Sequence, residues 1–235
     1  MTDRILITGA NRGIGLEMTR QAATAGHHVT AACRTPASAD ALNDLAAKSD
    51  EKITVIGMEV RDEESVRAAA TAVGALDLVV CNAGTLNARG GLTDDGHTSE
   101  NIAESLMTNI AGVFFTARHF VEHLRDSSAP RTVTPRIAVI SSQMGSSTRA
   151  GTTAPVYRAT KAAATNLACS MALELADDGI AVGAYHPGWV QTDMGGAAAA
   201  ITAEQSARGL LQRFAMLDLA KSGVFETYDG DPMPF

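Results

Sequence analysis

The sequence of 235 residues predicts an α/β fold: one doubly wound parallel sheet of about seven strands with helices on both faces. Three observations carry this. Apolar, β-branched runs centred near Ile5, Val29, Val55, Val79, Val139, Val182 and Val224 alternate with longer amphipathic segments. The first run leads at once into a glycine-rich turn and then a helical pattern. An apolar content of 46% over this length suits a single domain with a large core, and no repeat or low-complexity linker divides it.

Composition narrows the function. A net charge of -7, a pI near 5.3 and no basic cluster argue against nucleic acid or an anionic membrane as the main partner. No apolar run approaches the ~20 residues of a transmembrane helix, and the N-terminus enters a strand without a signal-peptide pattern, so a cytoplasmic protein is expected. Cys33, Cys81 and Cys169 form no C-x-x-C pair and read as reduced thiols. His119 and His123 have the i, i+4 spacing of metal ligands but no third ligand, so no metal site is expected.

The glycine turn is Thr8-Gly9-Ala10-Asn11-Arg12-Gly13-Ile14-Gly15, between Ile5-Leu6-Ile7 and a helical pattern through Leu16, Met18 and Ala22. With Asn11 and Ile14 between them, its glycines let backbone amides approach a pyrophosphate at a positive helix N-terminus. The second strand, Val29 to Cys33, ends where an acid would receive the adenosine ribose of NAD(H). Cys33 and then Arg34 stand there instead. A guanidinium fork suits a 2'-phosphate, with Arg12 as a second clamp. NADP(H) is therefore expected in preference to NAD(H); the competing reading is two solvated surface arginines.

Beyond the third strand, Asp62 is placed to cap a helix, with Ser65 three residues on. The fourth apolar run, Leu76 to Cys81, is followed by Asn82-Ala83-Gly84. Thr98 to Leu124 reads as one long helix carrying Phe114, Phe115, Phe120 and Asn109, an asparagine that needs partners if buried. Asp126 to Pro135 reads as a surface excursion. The fifth strand, Ile137 to Ile140, precedes Ser141-Ser142 and a loop from Gln143 to Val156; the sixth, Ile180 to Tyr185, precedes Pro187-Gly188-Trp189-Val190-Gln191-Thr192-Asp193-Met194. Gly195 to Thr202 is alanine-rich and Ala203 to Phe214 resumes a helical pattern, and 195–214 is read as a substrate lid. Leu86, Met144 and Trp189 are candidates for the substrate pocket, although packing residues would look the same.

Tyr157-Arg158-Ala159-Thr160-Lys161 sets a phenol and an ammonium on one helix face. A phenol with a pKa of about 10 is a poor acid or base at neutral pH, and a neighbouring cation such as Lys161 favours phenolate.

In this order, the glycine turn, Asn82-Ala83-Gly84, Asn109, Ser141-Ser142, Tyr157 with Lys161, and Pro187-Gly188 resemble the short-chain dehydrogenase/reductase family across essentially the whole chain. The closing Gly223 to Gly230 and Thr192-Asp193-Met194-Gly195-Gly196 resemble its C-factor and sniffer-like carbonyl reductase branch, with Phe235 where that branch has a terminal tryptophan. The resemblance implies a Rossmann-type domain over 1–235 that transfers a hydride between nicotinamide C4 and the carbon of a small carbonyl or alcohol substrate. It implies Tyr157 as general acid/base, Ser142 rather than Ser141 polarising the carbonyl, Lys161 holding the nicotinamide ribose, and Asn109 completing a proton relay through water. It further implies cofactor contacts from Asn82, Ala83, Gly84, Pro187, Gly188, Val190 and Thr192, and adenine contacts from Glu59 and Val60, where the family usually has Asp-Val. The Asn109 and Tyr157 helices imply a homodimer or homotetramer; the alternative is that the aromatics of the first helix only fill the core. The alternative function is a dinucleotide-binding signalling or regulatory protein of the C-factor type with little or no catalytic role.

Overall fold

Alternation along each strand sends neighbouring side chains to opposite faces of the sheet, and in the computed structural model, which describes residues 2–126 and 133–235, both faces are covered. The strands are β1 (Arg4–Thr8), β2 (His28–Cys33), β3 (Ile53–Gly57), β4 (Leu78–Cys81), β5 (Arg136–Ile140), β6 (Ala181–His186) and β7 (Phe225–Thr227). They form one parallel sheet in the order β3-β2-β1-β4-β5-β6-β7. Leu6, Val79, Val139 and Val182 pack one face with Val66, Phe120 and Ala164, while Ile5, Ile7, Val80 and Ile140 pack the other with Met18, Leu42, Leu210 and Phe214. Helices α3 (Glu63–Ala70), α5 (Gly112–Arg125) and α6 (Pro155–Glu174) serve the first face; α1 (Gly13–Thr24), α2 (Asp40–Ala47) and α7 (Ala203–Ala215) serve the second. The doubly wound sheet and its seven strands are as expected.

Boundaries differ where local bonds compete. The fourth strand starts at Leu78 because the Leu76 amide donates to His123 O and Asp77 is taken by the Arg4 guanidinium. The segment expected as one helix over Thr98 to Leu124 is one continuous helical run, α4 (Ser99–Leu106) leading through a π turn over Met107–Ala111 directly into α5. Thr98 caps α4 by accepting from Asn101 N (3.1 Å), and Asp62 caps α3 by accepting from Glu64 N (3.0 Å). Phe120 is fully buried and Phe115 half-buried, so they fill the core, whereas Phe114 is exposed.

The lid reading needs correction in its second half. Ala203–Ala215 is a core helix: Thr202 and Gln205 form a reciprocal capping box, and Ala207, Leu210 and Phe214 are buried. Only 195–202 stays a loop. His119 Nε2 meets Glu63 Oε1 at 3.1 Å and the His123 ring tilts against Phe120. The three cysteines are free, and burial pushes the Cys81 thiol up to about 12. Of the excursion expected over Asp126 to Pro135, 127–132 lie outside the described residues. Among the described residues no helix is long and apolar enough to cross a membrane.

Candidate active site

In a parallel sheet the strand order reverses between β1 and β4, and the crevice beyond their carboxyl ends is where ligands bind. The glycine turn lies there. Gly9 and Gly13 take positive φ, +65° and +54°, and a Cβ on Gly15 would overlap Gly9 O and Asn82 Nδ2. Arg12 starts α1 in an extended conformation with no side-chain cap, so no side chain claims the first-turn amides, and the turn fits a dinucleotide pyrophosphate. Asn82 faces the turn rather than the crevice: its Nδ2 donates to Thr8 O (2.8 Å) and Gly9 O (3.3 Å), and Thr8 Oγ1 accepts from the amides of Asn82 and Ala83. Thr8 was not among the expected site residues; its place at the last step of β1 is the signal that identifies it.

Asn109, Ser142, Tyr157 and Lys161, the candidate catalytic tetrad, are brought together by the ends of β4 and β5, the π turn and α6. Asn109 is wholly buried, with Oδ1 accepting from Thr85 N (2.8 Å) and Nδ2 donating to Thr85 O (2.9 Å) and Thr160 Oγ1 (3.0 Å). Lys161 Nζ donates to Ile140 O (2.9 Å) and lies 5.7 Å from the Tyr157 ring centroid. Where Gly84 approaches, a Cβ would stand 3.3 Å from both Lys161 Nζ and Asn109 Oδ1. Ser141 is bound into α6 through Lys161 O (3.0 Å) and Thr165 Oγ1 (2.6 Å), which leaves Ser142 as the serine whose hydroxyl lies near the Tyr157 phenol. Ser142 Oγ accepts from Met144 N (3.1 Å), so its own proton is free to point at the phenol.

The electrostatics depart from expectation. Burial pushes the Tyr157 phenol up to about 12, with the Ser142 hydroxyl and the Arg89 guanidinium pulling the other way. Burial also pulls Lys161 down to about 8. The ammonium is directed to Ile140 O, and the lowering of the phenol comes from Ser142 and Arg89 instead. His186, at the end of β6, is held down to about 4 by burial and then by Arg149, with Nδ1 buried and unpartnered.

The arginines expected at a 2'-phosphate are both exposed and both near carboxylates: Arg12 Nη1 to Asp193 Oδ2 at 2.9 Å, Arg34 Nη1 to Glu59 Oε2 at 3.9 Å. The Glu59 carboxylate accepts from Arg61 N (3.1 Å) and Arg61 Nη2 (3.0 Å). Val60 is a core side chain packed on Gly112, so only its backbone is left for a ligand. Thr192 comes within 3.3 Å of a Cβ position on Gly13, so the glycine turn and the loop after β6 face each other. Within that loop Pro187 O accepts from Ser206 Oγ (2.6 Å), Gly188 has φ +87°, and Val190 is buried and bridges Ile201. Asn11 is exposed, and Ile14 packs partly against the core of the α1 face.

The residues expected to line the substrate pocket differ in exposure. Leu86 and Met144 are half-buried, and Trp189 is exposed with Nε1 donating to Gly195 O (2.9 Å). The small cavity that touches Tyr157 is lined by Asn87, His97, Ser105 and Val156 instead, and His97 Nε2 is buried there without a partner. Arg89 and His97 belong to the loop after β4, where no spacing or residue pattern marked them.

Residues 3–202 match the sequence model described as short chain dehydrogenase. The chain is 34% identical over 175 residues to C-signal of Myxococcus xanthus, covering 72% of this chain and all of that protein. It is 31% identical to the NADPH-bound carbonyl reductase from chicken fatty liver, with a TM-score of 0.90 over 100% and 99% of the two chains. It is 27% identical to the carbonyl reductase Sniffer of D. melanogaster, with a TM-score of 0.89 over the whole of both. The glycine turn at the switch point, the tetrad at the strand ends and these likenesses agree, and the chain belongs to the short-chain dehydrogenase family.

Proposed function

We propose that the protein is an NADP(H)-dependent carbonyl reductase or alcohol dehydrogenase acting on small molecules. The single observation that carries this is the convergence of Ser142, Tyr157, Lys161 and Asn109 at the ends of β4 and β5, beside the glycine turn. A bound dinucleotide would supply the hydride. The backbone of the glycine turn would hold its pyrophosphate, Gly188 and Thr192 would face its nicotinamide end, and Lys161 would take the ribose hydroxyls. Arg34 and Arg12 would exchange their carboxylate contacts for a 2'-phosphate, and the bound NADPH of the chicken relative supports that preference.

With its pKa raised, Tyr157 stays protonated through the neutral range, the state a general acid needs to protonate an alkoxide. The Ser142 proton, not required by the Met144 contact, would be donated to the same oxygen. Both Nδ2 protons of Asn109 are donated to protein acceptors, so its side chain fixes the Thr85 turn, and a water relay from Lys161 would use other groups beside it. Residues 195–202 are the candidate lid. The exposed Leu106, Met107 and Phe114 on the α4–α5 side support self-association.

A second reading, a dinucleotide-binding signalling protein with vestigial catalysis, is favoured by the identity with C-signal. One assay separates the two: NADPH oxidation at 340 nm against aldehydes, ketones and quinones, with NADH in parallel and Tyr157→Phe as control. The reductase reading expects turnover favouring NADPH that falls by ~10³-fold or more in the variant, a loss of ~4 kcal/mol in transition-state stabilisation, while NADPH binding is retained. Full activity in Tyr157→Phe would overturn the assignment; binding without turnover across the panel would favour the second reading.

A further inference from the structure

Three of the arginines not yet accounted for gather at one place. Arg89, Arg149, Arg158 and Arg213 are the described arginines with no carboxylate at ion-pairing distance, in contrast to Arg4, Arg12, Arg20, Arg34, Arg61, Arg67, Arg118, Arg125, Arg136 and Arg208. Arg213 turns to Met216 Sδ at 2.9 Å. Of the other three, Arg89 and Arg149 lie in the loops near Tyr157 and Arg158 follows it on α6. Arg158 is spent on backbone, donating to Thr153 O (2.8 Å) and Arg149 O (3.0 Å). Arg149 donates to Gln143 Oε1 (3.1 Å), and Arg89 crosses from the loop after β4 to donate to Met194 O in the loop after β6.

That crossing places Arg89 beside Trp189. The indole Nε1 donates to the next carbonyl, Gly195 O, so a guanidinium and an exposed indole stand on consecutive carbonyls of one loop. Behind Arg89 the loop is fixed: Ala154 N donates to Gly90 O (2.7 Å), and Asp94 accepts from Gly90 N (2.6 Å) and Gly96 N (2.7 Å). Asp94 is thereby engaged with backbone, and Asp193 with Arg12, so neither neutralises Arg89. In a chain of net charge -7 an uncompensated cation next to an apolar ring at the mouth of the site is a binding feature, because a guanidinium receives carboxylate or phosphate oxygens in its planar fork.

We propose that Arg89 and Trp189 form the outer wall of the substrate site and select carbonyl compounds that carry an oxyanion, a carboxylate or a phosphate, separated from the reacting carbon by a short apolar chain. This rests on the reductase reading and gives it a substrate class. Trp189 covers the chain and Arg89 takes the anion.

The test compares levulinate with methyl levulinate, and dihydroxyacetone phosphate with dihydroxyacetone, in NADPH-dependent reduction by wild-type, Arg89→Gln and Arg89→Lys protein. Wild type should prefer the anion of at least one pair by about tenfold in kcat/KM, through KM, with the preference shrinking as salt rises. Loss of a structural strap in Arg89→Gln would lower both members of a pair together, whereas loss of an anion contact lowers the ratio by about tenfold and Arg89→Lys, which restores the cation, restores part of it. Which pair responds tells a carboxylate from a phosphate. Trp189 is the only tryptophan, so its fluorescence reports anion binding without turnover. Quenching by levulinate or dihydroxyacetone phosphate in wild type but not in Arg89→Gln, with no reduction of any compound, would keep the anion site and remove the reductase reading. Reduction of the neutral compounds with no anion preference would remove the anion site and keep the reductase. No quenching and no turnover would remove both.

Discussion

Lys161 is the residue on which the proposed binding role and stability pull in opposite directions. It is almost wholly buried and hydrogen-bonds a single carbonyl, Ile140 O, while burial depresses its pKa from 10.5 to about 8. A cation with a folded pKa below its unfolded value binds fewer protons in the native state, so its penalty is full below about 8 and is relieved as pH rises towards 10.5. Lys161→Met keeps length and removes the charge. It should therefore be more stable than wild type at pH 7, by ~1–3 kcal/mol, and that advantage should vanish by about pH 10. Urea unfolding at several pH values measures this; a variant less stable than wild type at pH 7 would show that the buried charge is compensated. The same variant should lose activity, as expected where function retains a group that stability alone would discard. The i, i+4 spacing of phenol and ammonium was visible in Tyr157-Arg158-Ala159-Thr160-Lys161. What burial does to each pKa was not, because desolvation depends on Gly84, Ile140 and Asn109 closing around Nζ from distant parts of the chain.

Two short elements, the π turn and the turn over Gln143–Gly145, decide where the tetrad points. The apolar period through Thr98 to Leu124 announced helix and concealed the π turn, since one widened turn leaves the pattern on either side intact. The loop expected over Gln143 to Val156 gave no periodicity at all, yet it ends at Ala154, where α6 begins, and its first turn is held closely against that helix. A Cβ on Gly145 would stand 2.6 Å from the Lys161 carbonyl carbon and 2.8 Å from Ala162 N, both backbone atoms that cannot swing aside. Ser142 heads this turn and accepts from its Met144 amide, so moving the turn moves the serine relative to Tyr157 and Lys161. Gly145→Ala should lower kcat by ~10²-fold, the scale of an ångström-level misplacement, while the protein still folds with a reduced Tm. Wild-type kcat together with an unchanged Tm would mean that the contact relaxes without consequence. The turn lies at the carboxyl edge of the sheet, where the glycine turn and the Pro187 loop also lie, and for those the strand-turn-helix order was enough to place them.

At the scale of the whole molecule the sheet has a chemical edge and a structural edge. The glycine turn, Ser142 and Gly188 follow the carboxyl ends of the strands, while the amino ends carry charged side chains that tie the chain to itself. Arg136 opens β5 almost fully buried, ion-paired to Asp3 at 2.5 Å and donating Nη1 to Phe214 O at 3.1 Å, so one guanidinium joins the N-terminus, the middle of the sheet and the end of α7. Nothing in residue order paired Asp3 with a residue 133 positions on, because the contact exists only after strands β1, β4 and β5 align. Breaking a buried pair by removing one partner costs about 3 kcal/mol, since the remaining charge and carbonyl lose their partner. At this chain length that corresponds to a Tm lower by roughly 6–12 °C. Arg136→Met should therefore melt early yet keep its kcat at 25 °C, because the residue stands at the opposite end of the strands from Tyr157. Adding Asp3→Asn removes the stranded carboxylate and should recover part of the loss in thermal denaturation. A double variant no more stable than Arg136→Met alone would place the cost in the lost Phe214 contact and in packing rather than in an unpaired charge.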